Sequence, residues 1–177
     1  MEMPSITTSR LILRPFTQAD VAAMHQILSA TGVLRYFPNS QPPSPERVRH
    51  MIANLLNHWD QYGYGLWAIE SRLTGKLMGR SGLQYLLETD EVEVDFILGR
   101  EFWGQGFATE AGQAALRHGF ETLDISTIVG IVHVGNKASQ RVLEKLGMRR
   151  MAKAGYFGMD CYRYGIERAS FVDRDWP

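Results

Sequence analysis

Residues 92–117 constrain this chain more than any other stretch. Val92-Glu93-Val94-Asp95-Phe96-Ile97-Leu98 puts Val92, Val94, Phe96 and Leu98 on one face of an extended run and Glu93, Asp95 and Ile97 on the other. Phe102-Trp103-Gly104-Gln105-Gly106-Phe107-Ala108-Thr109-Glu110-Ala111 follows. Phe107, Ala111, Ala114 and Ala115 then recur at the spacing of one helix face. The stretch reads as strand, glycine turn, helix. Gly104 and Gly106 allow backbone angles closed to bulkier residues and let a ligand approach the main chain. The first N–H groups of such a helix lack internal partners, and its dipole adds partial positive charge. That geometry suits a phosphate or pyrophosphate. No third glycine stands where a dinucleotide fingerprint needs one, and no Gly-Lys-Ser/Thr marks a Walker A loop.

Composition narrows the classes further. The 177 residues suffice for one domain with a real core, and no linker, repeat or low-complexity tract divides them, so residues 1–177 are expected to form a single domain. Nineteen acids balance nineteen Lys and Arg, so no basic field favours a nucleic-acid partner. Cys161 stands alone, which excludes an internal disulfide and suits a reducing cytosol. It reads as a small buried hydrophobe. No apolar run is long enough to span a bilayer, and the N-terminus lacks a charged-then-apolar signal pattern. A cytoplasmic protein without a membrane partner is expected. His25, His50, His58 and His118 fall on helical stretches at no metal spacing, and no metal site is expected.

In chain order, Arg10–Arg14 is a short strand ended by Pro15. Thr17 reads as a helix N-cap with Asp20 in the capping-box position, before a stripe of Val21, Met24, Ile27 and Leu28. Proline-rich residues 32–45 form a loop. Ser44 caps a second helix, with Pro45 at its first position, that runs to about Tyr62. Strands are expected at Leu66–Glu70 and Leu77–Leu87, the second bent or bulged at Gly79 and Gly82. The central helix runs to about Glu121, and Ser126–Val134 is an apolar run typical of a buried strand. Asn136 caps a helix that Gly147 closes. Residues 148–154 and 158–168 form a closing hairpin around Gly155–Gly158.

Two motifs carry a family resemblance. Gly106 and Ala108 match the last two fixed positions of Gln/Arg-x-x-Gly-x-Gly/Ala, motif A of the GNAT N-acetyltransferases, with Trp103 where Gln or Arg is usual. Asn136-Lys137-Ala138-Ser139 through Glu144-Lys145-Leu146-Gly147-Met148 resembles the motif B helix, with Met148 replacing the usual Phe. The opening Thr8-Ser9-Arg10-Leu11-Ile12-Leu13-Arg14-Pro15 is similar to the start of the ribosomal-protein N-terminal-alanine acetyltransferase branch. The resemblance spans roughly residues 8–168.

It implies an α/β fold: a mixed, mostly antiparallel, curved sheet, splayed at its central strands, with helices on both faces. It implies acetyl-CoA as co-substrate, lying in the splay. The pantetheine arm would bond the backbone of Phe96, Ile97 and Leu98 almost as an added strand. The pyrophosphate would sit on the stretch Trp103, Gly104, Gln105, Gly106, Phe107, Ala108 and Thr109. Asn136 and Ser139 would meet the pantetheine region. A homodimer, common in that family, is compatible with it.

Acetyl transfer to an amine needs the amine neutral, a sink for its proton, donors for the oxyanion and a proton for the departing thiolate. Glu93 is the candidate proton acceptor, directly or through water, and Asp95 beside it is a candidate for holding the acceptor. The local alternative is a solvated acidic hairpin. Ser139 is the candidate for protonating the thiolate, because the position where many relatives carry Tyr is Leu143 here. Its alternative is a hydroxyl serving only the helix start. His133, three residues before Asn136, could relay protons. Tyr36 and Phe37 are the candidate acceptor contacts. The expected activity is acetyl transfer to a protein N-terminal or small-molecule amine by direct attack in a ternary complex. The alternative, which Leu143 motivates, is an acyl-CoA-binding module with little transferase activity.

Overall fold

The structure is a computed structural model and describes residues 3–172. Its frame is one sheet of eight strands in the order β1-β2-β3-β4-β5-β6-β8-β7. These are β1 (Ile6–Thr7), β2 (Leu11–Arg14), β3 (Leu66–Ser71), β4 (Leu77–Leu86), β5 (Glu91–Leu98), β6 (Thr127–His133), β7 (Arg149–Tyr156) and β8 (Met159–Glu167). All neighbours are antiparallel except β5 and β6. That parallel pair is held in register only at Glu93 and Val129. Beyond Glu93 the edge of β5 has no strand partner, which is the expected splay.

Side-chain alternation sends each central strand into two cores. Trp67 and Ile69 of β3, with Val94 and Leu98 of β5, pack under α3 (Phe107–Arg117) and α4 (Lys137–Lys145). Ala68 and Ile97 face the opposite way, under α1 (Val21–Ser29) and α2 (Pro45–Tyr62). The helices start where the sequence says they do. Ser44 accepts the Arg47 N–H at 3.2 Å above Pro45, and Asn136 accepts the Ser139 N–H at 3.1 Å. The Thr17 N–H donates to Asp20 at 2.8 Å, and Arg14 grips the same carboxylate through both terminal nitrogens.

Gly79 and Gly82 do bend β4. Met78 is an extra residue opposite β3, where the pairing steps from Ile69–Gly79 to Glu70–Leu77. A Cβ on Gly79 would lie 2.0 Å from the Ile97 carbonyl oxygen, and one on Gly82 would lie 2.2 Å from that of Gly65. Only glycine permits this approach of three backbones.

Three local features differ from expectation. Strand β1 is too short to leave a pattern. The central helix ends at Arg117 and widens into a π turn over His118–Thr122, which seats Gly119 against Ile128 and Leu83. The closing hairpin turns on two residues, Phe157 and Gly158, both with left-handed φ (55° and 75°), while Gly155 stays in β7 opposite Asp160. Of the tail, Phe171 packs on Phe120 with ring centroids 5.2 Å apart; residues 173–177 lie outside the described residues.

Candidate active site

The glycine turn leaves a row of backbone donors open. Gly104 and Gly106 take φ of 73° and 84°. The Trp103 indole N–H donates to the Leu98 carbonyl at 2.8 Å and so folds the turn back onto the end of β5. Arg10 donates to the Gln105 carbonyl at 3.0 Å, and its guanidinium lies 4.4 Å from the Phe107 ring centroid. Arg10 is itself held by Glu110 at 2.7 Å. Burial would raise the Glu110 carboxyl, but hydrogen bonds from Thr8 and Arg10 together with the Arg10 charge outweigh it and hold the group below its usual value. The first helical bond runs from Glu110 N–H to the Gly106 carbonyl. The N–H groups from Gly104 to Thr109 meet no acceptor among the described residues. A row of free donors at a helix start, with the dipole behind it, fits a pyrophosphate.

At the splay lies a cleft of about 50 Å³, lined by Tyr36, Phe37, Asp95, Phe96, His133, Asn136, Ser139 and Leu143 among others. Strand β5, strand β6, the start of α4 and the loop after α1 each contribute. Ser139 gives its N–H to Asn136, but its hydroxyl has no partner among the described residues. His133 Nδ1 accepts the Gly135 N–H at 3.0 Å, and its ring stacks 5.2 Å from Tyr36. Gln140, buried, ties the β6–α4 loop through the Val134 carbonyl at 2.9 Å. Leu143 fills the space over Gly130, where a Cβ would come within 2.7 Å of it.

Glu93 sits behind this wall rather than in it. It is 5% exposed, accepts from Gln84 Nε2 at 2.7 Å, and accepts the Ile131 N–H at 3.1 Å across the splay. The carboxylate thus caps a β6 donor that loses its strand partner where β5 and β6 part. Burial, followed by the charge of Asp95, pushes its carboxyl up to about 8. Asp95 lines the cleft, and Arg80 Nη2 lies 3.0 Å from Asp95 Oδ2. Arg80 Nε and Asp95 Oδ2 are both buried without a hydrogen-bond partner. Arg80 also borders a second cavity of about 200 Å³ under the same loop.

Most of the residues expected from sequence converge. Asp95, Phe96, Asn136, Ser139, Tyr36 and Phe37 share the cleft, and Trp103 to Thr109 form the glycine turn and the start of α3. Ile97 instead faces the second cavity, Leu98 is buried with its carbonyl engaged by Trp103, and Glu93 is one layer back. Cys161 is buried in β8 and does not line the cleft. Arg80, Gln84, Gln140 and the Arg10–Glu110 pair were not singled out from sequence. Only the charge of Arg80 between two glycines offered a local hint.

The acetyltransferase (GNAT) domain model matches residues 10–149. The uncharacterized N-acetyltransferase YoaA of Bacillus subtilis (strain 168) is 32% identical over 148 residues, 83% of this chain and 84% of that protein. The crystal structure of an acetyltransferase from Agrobacterium tumefaciens str. C58 superposes with a TM-score of 0.83 at 26% identity, covering 94% of this chain and 96% of that one. RimL, a ribosomal L7/L12 alpha-N-protein acetyltransferase solved with coenzyme A, shares the fold at 22% identity and a TM-score of 0.79, over 93% and 98% of the two chains. The chain belongs to the GNAT acetyltransferase family. Acetyl transfer from acetyl-CoA to an amine is the general activity of that family. Among the described residues, no helix is long and apolar enough to cross a membrane.

Proposed function

We propose that this protein transfers the acetyl group of acetyl-CoA to a primary amine, a protein N-terminal α-amine or that of a small molecule, by direct attack in a ternary complex. The observation that carries the reading is the meeting, at one splay, of a free-donor turn and a cleft lined by a carboxylate, an imidazole and an unpartnered hydroxyl. The turn from Gly104 to Thr109 would hold the pyrophosphate, and the open edge of β5 would take the pantetheine arm. Acetyl-CoA supplies the thioester.

Asp95 receives the acceptor as its ammonium form. Glu93 takes the proton through water, because its carboxylate does not reach the cleft wall; its raised pKa matches a base working near neutrality. The neutral nitrogen attacks the thioester carbon, the N–C bond forms, the C–S bond breaks and the nitrogen's second proton passes to water. The thiolate takes its proton from Ser139 or through it from water. No covalent intermediate on the enzyme is needed, and buried Cys161 plays no part.

The test is thermal unfolding with acetyl-CoA, CoA, ATP and NAD, followed by CoA release across an amine panel. A ligand that binds only the folded state raises the melting temperature. Stabilisation by acetyl-CoA and CoA alone, with release of CoA on adding an amine, is expected. Stabilisation without release from any amine would leave a binding module, the reading that buried Leu143 favours. No stabilisation at saturation would overturn the anion-turn assignment.

A further inference from the structure

The Arg80–Asp95 pair divides two cavities. Asp95 lines the cleft at the splay, and Arg80 lines the larger cavity beyond it. One loop roofs both, through Tyr36 over the first and Leu34 over the second. Both side chains are 13% exposed, yet one guanidinium nitrogen and one carboxylate oxygen lack hydrogen bonds. Buried charged groups left short of partners are costly, so a ligand that parts this pair and gives each ion a better partner is favoured. Leu28, Leu34, Val48, Met51 and Ile97 give the second cavity a mainly apolar wall, with Asn39, Gln41 and Arg47 on its polar side.

We infer that the acceptor is a free α-amino acid with an apolar side chain, its ammonium on Asp95, its carboxylate on Arg80 and its side chain in the second cavity. The inference rests on the transferase reading above and names the acceptor class for that same site. A zwitterion exchanges one imperfect ion pair for two. An amino-acid amide or a peptide N-terminus brings no carboxylate to Arg80. A polyamine would bring a second cation against it.

Calorimetry tests this with L-leucine and L-leucinamide titrated into the full chain saturated with CoA, so that binding is read without turnover. Leucine should bind roughly tenfold to hundredfold more tightly than leucinamide, the range for a hydrogen bond to a charged group. Arg80→Gln should erase that preference, and Arg80→Lys should keep part of it. The rise in melting temperature with CoA reports that each variant is folded. Equal or tighter binding of leucinamide, or binding of neither, overturns the inference. CoA release with any amine is scored separately: a leucine preference without CoA release would leave the subsite standing and sink the transferase reading.

Discussion

Glu110→Gln tests the join between the N-terminal segment and the anion turn. The Glu110 carboxylate is 2% exposed. One oxygen accepts from Thr8 Oγ1 at 2.6 Å, Ser9 Oγ at 3.1 Å and Arg10 N–H at 2.9 Å; the other accepts from Arg10 Nε at 2.7 Å. A glutamine can keep its oxygen on the first three donors as neutral bonds. Its NH₂ then faces Arg10 Nε, donor against donor. The loss is one charge-assisted bond plus weakening of the others, about 2–3 kcal/mol. For a chain of this size that is roughly 5–10 °C in melting temperature. The Glu110 pKa is depressed in the fold, so its contribution is present above the unfolded value of about 4.3 and is lost as pH falls through the lower folded value. Urea unfolding of both proteins at several pH values is the assay. The gap should be full at pH 7 and shrink below about pH 4.3. A gap under about 0.5 kcal/mol at pH 7, the size of an ordinary surface substitution, would refute the reasoning. So would a gap that does not change on acidification. Because Arg10 also braces Gln105, acetyl-CoA affinity should fall as well.

Other perturbations probe the remaining parts. Glu93→Gln should lower kcat by about 100-fold or more, the usual share of a general base, while acetyl-CoA affinity measured by calorimetry changes little; equal losses in both would remove Glu93 from the proton path. His58 accepts the Tyr85 N–H on Nε2 at 3.0 Å and reaches the Tyr64 carbonyl from Nδ1 at 2.8 Å, so it is held neutral, and burial lowers its pKa. At this site the unfolded chain therefore binds a proton first, and the contribution of His58 to stability should fall as pH drops below about 6.5. His58→Gln should remove that contribution, read as the difference between the two proteins in urea unfolding between about pH 7 and 5. Gly82→Ala drives a methyl group into the Gly65 carbonyl and should cost about 3 kcal/mol or prevent folding, as circular dichroism melts would show. Trp103→Phe removes the bond to Leu98 and should weaken acetyl-CoA binding with a smaller loss of stability.

The sequence by itself determined the parts whose information is local. Ser44, Asn136, Gly104 and Gly106 act on residues within a turn of themselves, so the caps and the free-donor turn were readable from spacing. Alternation along residues 92–98 fixed which face each side chain would take. The tertiary structure alone decided how these parts meet. Glu93 reaches Gln84, nine residues away, and Ile131, thirty-eight away, only because strand register sets β4, β5 and β6 side by side. Register also brings Arg80 to Asp95, and a slip of one residue in either strand would turn that strand's side chain to the opposite face. Arg10 and Glu110, a hundred residues apart, meet only when β2 lies beneath α3. Local spacing carries no term for such pairings, because their geometry is set by the whole sheet. That is why Glu93 could be named from sequence and only the fold moved it one layer behind the cleft.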